Sequence, residues 1–107
     1  MVTLLSQNMN EFELHLRAIL DLPIPEIKIN APSASRVILS RDEFKNFGYY
    51  GIHQALEIQN SKILIFGKPF AKKGRRMGVA LATGNDIAEA RQRADQCASK
   101  INIYSYE

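Results

Sequence analysis

The chain has 107 residues, of which 46% are hydrophobic and 23% charged, enough for one modest core and a composition that sets aside disordered, collagen-like and coiled-coil architectures. The formal net charge is +3, yet five of the 14 cations lie between Lys68 and Arg76, so the other nine face 11 acidic residues and the remainder of the chain is slightly acidic. A single cysteine, Cys97, excludes an internal disulfide and a cysteine-based zinc cluster. No segment approaches the ~20 apolar residues that span a bilayer, so a cytoplasmic chain without membrane partners is expected.

Met1 to Leu5 reads as a strand or strand end, an unusual place for a domain to begin, which implies a chain that starts within a larger protein. The stretch "NMNEFELHLRAILDLP" follows. Asn8, with Glu11 three residues on, is the expected N-cap, and Met9, Phe12, Leu16, Ile19 and Leu20 share one helical face before Pro23 stops it. Three of the four prolines fall in "PIPEIKINAPSAS", so Pro23 to Ser35 is extended and marks the candidate domain boundary. "SRVILS", Ser35 to Ser40, has strand character, and a short helix is expected near Tyr50 to Leu56.

"KILIFG" and "RRMGVALAT" both read as strands, and the Gly- and Lys-rich connection between them predicts an antiparallel hairpin with a long loop. In the second strand Gly78, Ala80 and Ala82 make a face of small residues that another element can approach closely. The expected neighbour is the last helix. Asp86 with Glu89 at N3 caps it, and Ile87, Ala90, Ala94, Cys97, Ala98 and Ile101 form its inner stripe.

The loop "FGKPFAKKGRR" holds Lys68, Lys72, Lys73, Arg75 and Arg76 within nine positions. If the flanking strands pair, Lys68 and the Arg75–Arg76 pair stand on opposite legs at the loop mouth, where two guanidinium forks and an ammonium suit a phosphate. Adjacent residues of a regular strand face opposite sides, so both arginines reach one anion only if the backbone turns or bulges beside Gly74. Lys72 and Lys73, at the tip, read as solvated. On composition alone the whole run is equally a solvated tip. An alternative from a different class is a basic RNA- or partner-binding module, with Tyr49, Tyr50 and Phe70 as stacking groups, although five cations make a small footprint for nucleic acid.

No catalytic constellation or metal spacing is present. His15 and His53 read as ordinary surface or packing residues, Cys97 as core, and Asp42 and Glu43 as solvated.

The same residues carry a resemblance. "MVTLLSQNMNEFELHLRAILDLP", "APSASRVIL" and "FGKP…RRMGVALAT" resemble the C-terminal end of formate-dependent phosphoribosylglycinamide formyltransferase, the glycinamide ribonucleotide transformylase of the ATP-grasp superfamily. The likeness covers nearly the whole chain and is weakest from Arg41 to Gln59. It implies an α+β fold: a small antiparallel, barrel-like sheet packed with a C-terminal helix, preceded by an N-terminal helix left from an ATP-grasp domain. By that likeness residues 1–23 are the tail of the ATP-grasp domain and 24–107 the small C-terminal domain.

The family makes formylglycinamide ribonucleotide from glycinamide ribonucleotide, formate and ATP, with magnesium and a formyl phosphate intermediate. At the positions matching its substrate-binding "FGKP" lysine and "RR" pair stand Lys68, Arg75 and Arg76. The ligand so implied is a small ribonucleotide's 5′-phosphate rather than a nucleic-acid backbone. The related carboxyaminoimidazole ribonucleotide synthetase is the nearest rival. The family's ATP and magnesium ligands match nothing in this chain, so it is expected to bind no cofactor and to be inactive alone, with the remaining ATP-grasp domains as its partners. The uncovered first helix implies an apolar patch and a possible homodimer.

Overall fold

In the computed structural model, which describes residues 1–106, the chain forms α1 (Thr3–Ser6), α2 (Glu11–Ile19), β1 (Ser33–Leu39), β2 (Phe47–Tyr50), α3 (Ile52–Leu56), β3 (Ser61–Ile65), β4 (Arg76–Thr83), α4 (Ile87–Lys100) and β5 (Asn102–Ser105). The first element corrects an expectation. Met1 to Leu5 is not a strand: with no partner strand beside it, the segment satisfies its amides locally, through Leu4 N–H to Met1 O and Ser6 N–H to Val2 O.

The cap of α2 also lies two residues later than expected. Asn10, not Asn8, accepts from Glu13 N–H at 2.9 Å. Asn8 instead secures the extended segment, accepting from Lys28 N–H at 2.8 Å and donating to Glu26 O at 3.1 Å. Glu13 and Arg17 pair one turn apart, and Arg17 also donates to Pro23 O, which fastens the chain where it leaves the helix. Of the expected apolar stripe only Met9 is buried. Phe12, Leu16, Ile19 and Leu20 are all more than half exposed.

The hairpin is present as read. β3 and β4 pair antiparallel from Ser61↔Ala82 to Ile65↔Gly78, and β1 adds on the other side of β4 from Ser33↔Thr83 to Ile38↔Gly78, with a bulge between Ile38 and Leu39. This gives a three-stranded sheet ordered β1-β4-β3. β4 is central, and Met77 to Ala82 are all buried. Its small face serves the expected purpose, since Ala80 packs with Ile38, Ala55, Cys97 and Ile101 in one cluster beneath α4. A Cβ on Gly78 would approach Leu64 O to 2.7 Å, so the hairpin itself requires a bare α-carbon there.

Asp86 caps α4 by accepting from Glu89 N–H at 2.8 Å, and Ala90, Ala94 and Cys97 are its buried residues. Ile87, assigned to the inner stripe, is instead 46% exposed. Arg93 pairs with Glu89 and donates to Thr83 O at 2.8 Å, tying α4 to the end of β4.

The barrel-like expectation is corrected. β2 and β5 form a separate two-stranded antiparallel sheet, from Phe47↔Ser105 to Tyr50↔Asn102, and neither sheet closes on the other. Tyr50, placed by the sequence in a short helix, belongs to β2, and the helix begins at Ile52 after Gly51 (φ 90°).

Candidate functional site

The ladder of the hairpin continues past β3 through Phe66 N–H to Met77 O at 3.1 Å, and Lys68 and the Arg75–Arg76 pair lie on the two legs just beyond that bond. Gly67 (φ 69°) turns the chain out of β3, and Lys68 follows half-buried. The loop then folds back onto the segment after β1. Phe44 and Ala71 exchange both backbone bonds, Gly74 N–H donates to Ser40 O at 2.8 Å, and Ser40 N–H donates to Arg75 O at 3.0 Å. These bonds hold the base of the loop, while Lys72 and Lys73 remain exposed at the tip.

The departure from strand geometry needed beside Gly74 is present. Arg75 N–H closes a turn on Lys72 O at 2.8 Å, with Gly74 at φ 79°. Arg75 therefore lies in a turn, and Arg76 opens β4 opposite Leu39, just beyond the β1 bulge. The Arg75 guanidinium donates through Nη1 to Phe70 O at 3.0 Å, which orients it and leaves its other N–H groups for a ligand. Among the described residues none of the three cations is ion-paired with a carboxylate, whereas Arg17, Arg36 and Arg93 each are. Unneutralised cations on a hydrogen-bonded loop are suited to an external anion.

The aromatic residues weighed for base stacking are dispersed. Tyr49 packs against the core, edge-on to Phe47, and Tyr50 sits on β2 beside Tyr104, in the other sheet. Phe70 alone of the three is on the basic loop. His53 is exposed beside Glu57, and no three His, Cys, Asp or Glu side chains among the described residues come together as a metal site. Cys97 is fully buried, and burial pushes its thiol up from the ordinary 9.0, against a smaller opposing effect of a hydrogen bond with Ser61; it is not a poised nucleophile. Nor is any described helix long and apolar enough to cross a membrane.

The sequence reading passed over Arg36 and Arg41. They line a cleft of about 440 Å³ between β1 and the corner where α4 runs into β5. The signal for them was a basic residue in the middle of, and another just beyond the end of, a segment with strand character.

These features are those of a small α+β domain of the kind carried by ATP-grasp enzymes. The fold aligns with N5-carboxyaminoimidazole ribonucleotide synthetase from Thermotoga maritima at a TM-score of 0.88 and 23% identity, over 96% of this chain and 29% of that one. It also aligns with glycinamide-RNase-transformylase T from Mycobacterium tuberculosis at a TM-score of 0.71 and 38% identity, over 94% of this chain and 25% of that one. The family described as PurT, C-terminal, matches residues 33–101, and the chain belongs to that family. A relative from Prochlorococcus marinus, named formate-dependent phosphoribosylglycinamide formyltransferase, is 65% identical over 97% of the chain. The chain spans about a quarter (26%) of that relative's length.

Proposed function

We propose that this chain is the C-terminal part of a formate-dependent phosphoribosylglycinamide formyltransferase and that Lys68, Arg75 and Arg76 anchor the 5′-phosphate of glycinamide ribonucleotide. The observation that supports the reading is the position of Lys68 and the Arg75–Arg76 pair on the two legs of one clamped hairpin, with no carboxylate partner to any of them among the described residues. The name of the 65% identical relative supplies the reaction. The synthetase likeness, at 23% identity, speaks for the fold alone and so favours the rival less.

The loop holds and does not react. Two guanidinium forks and one ammonium make charge-assisted hydrogen bonds to a dianion, and the binding energy so gained orients the substrate's amine. Residues 1–23 are then the tail of the ATP-grasp domain and 24–107 the small domain. The remaining ATP-grasp domains supply the ATP and Mg²⁺ sites and the formyl phosphate chemistry, and this chain contributes none of those ligands.

The test is an NMR titration of the chain with ribose 5-phosphate, glycinamide ribonucleotide and single-stranded RNA at two salt concentrations. Saturable shifts centred on Lys68, Arg75 and Arg76 with both sugar phosphates, lost in Arg75→Ala, are expected. A steeply salt-dependent response to RNA with none to the ribonucleotide would overturn the proposal.

A further inference from the structure

We propose that the cleft between β1 and the α4–β5 corner accepts an extended acidic peptide from another protein, added as a strand to β1. The backbone is the first reason. Among the described residues β1 is an edge strand, paired only with β4. The Gly84 N–H to Pro32 O bond, carried along the ladder by two-residue alternation, turns the backbone groups of Ala34 and Arg36 toward β4 and those of Ser35 and Val37 outward. β5 behaves likewise: Tyr106 N–H to Asn46 O directs Asn102 and Tyr104 toward β2 and leaves the groups of Ile103 outward. Val37 and Ile103 both line the cleft of about 440 Å³. A strand entering it meets backbone donors and acceptors on the β1 wall and again on the β5 wall, the requirement for recognition by strand addition.

Charge identifies the occupant. Arg41 has no carboxylate partner among the described residues, and Arg36 pairs with Asp95 only loosely, at 3.5 Å, with both side chains more than 60% exposed. Two guanidinium groups against one carboxylate favour an acidic segment. A second copy adding its own β1 would carry another Arg36 into the same cleft, like charge against like.

The experiment is an NMR titration of the 107-residue chain with a synthetic peptide of about eight residues alternating Glu and Val, with a Lys–Val peptide as control. Binding of the acidic peptide should slow amide exchange at Val37 and Ile103, and Arg41→Glu should weaken it at least about tenfold. Val37→Pro removes an outward N–H while leaving the β4 ladder its hydrogen bonds, so the chain should fold but no longer bind. Arg41→Glu provides an independent readout if proline disturbs the strand. The proposal fails if the folded chain ignores the acidic peptide, if the Lys–Val peptide binds as well, or if Val37→Pro binds undiminished. It fails equally if sedimentation shows a dimer that Val37→Pro dissolves, for the occupant is then a second copy.

Discussion

Phe44 and Ala71, 27 positions apart in the chain, exchange both of their backbone hydrogen bonds, at 2.9 and 3.0 Å, and so clamp the basic hairpin loop onto the segment that leaves β1. The Ala71 side chain is completely buried beneath this contact. A lysine-rich loop of this length would otherwise be a mobile tip; here only its outermost turn is free of the clamp. Hydrogen exchange should therefore divide the loop, with the Phe44 and Ala71 amides protected and the amides of Lys72 and Lys73 exchanging at nearly the unfolded rate. Uniformly fast exchange from Phe70 to Gly74 would contradict the clamp.

Two glycines at positive φ should respond differently to alanine. A Cβ on Gly51 would collide with the carbonyl of Lys100, so Gly51→Ala must push β2 from the end of α4 and is expected to cost about 3 kcal/mol or more. Gly74 has open space around it, so Gly74→Ala should cost only the backbone term, ~1 kcal/mol, while disturbing the turn that presents Arg75. Thermal melts measure the first effect. The second appears as a weakened response to ribose 5-phosphate alongside a smaller drop in Tm, about 4–8 °C.

Each of the three loop cations should matter to phosphate binding and hardly at all to folding. Lys68→Ala, Arg75→Ala and Arg76→Ala are expected to weaken the ribonucleotide by about 10- to 100-fold apiece, corresponding to ~1.5–3 kcal/mol for a charge-assisted hydrogen bond. Arg75→Ala should also shift the Phe70 carbonyl resonance, since that side chain donates to it. Titrations combined with melts separate binding from stability.

The apolar face of α2 should drive self-association. Phe12, Leu16, Ile19 and Leu20 project from it together, and the following segment leaves Leu22, Ile24, Ile27 and Ile29 exposed as well. Leu16→Glu combined with Ile19→Lys is expected to keep the chain monomeric in sedimentation at concentrations where the parent chain associates, with Tm unchanged because neither side chain is buried.

Stability should fall in alkaline solution. Burial raises the Cys97 thiol above 9.0 and the Tyr49 phenol above 10.0. A raised folded value favours the neutral form, so the stabilisation is fully present below these ordinary values. As pH climbs past 9.0 the unfolded chain ionises first, and the advantage is lost until the folded groups ionise too. Melts from about pH 7 to about pH 11 should show a decline, and Cys97→Ala should flatten its thiol-dependent part.

What the sequence determined by itself was local. The Asp86–Glu89 cap, the β3–β4 hairpin and the small-residue face of β4 were all legible, because each depends on residues within one turn, one ladder or one strand of each other. The position of Lys68 and the Arg75–Arg76 pair on the two legs of that hairpin was legible with it, since a run of charge on a connecting loop needs no distant partner to be recognised. Other features required contacts between distant positions. Tyr50 is a strand residue only because Asn102 pairs with it, and Met1 to Leu5 is not a strand because nothing pairs there. The clamp of Phe44 on Ala71 and the cleft between two unpaired edges likewise exist only once separated segments meet. Strand identity is a property of pairs, and periodicity along one segment carries no record of which partner it will find. The cap of α4 and the closure of the hairpin act between near neighbours and could be read before the fold was seen, whereas Asn8 is drawn from its expected capping role by the distant Glu26 to Lys28 segment.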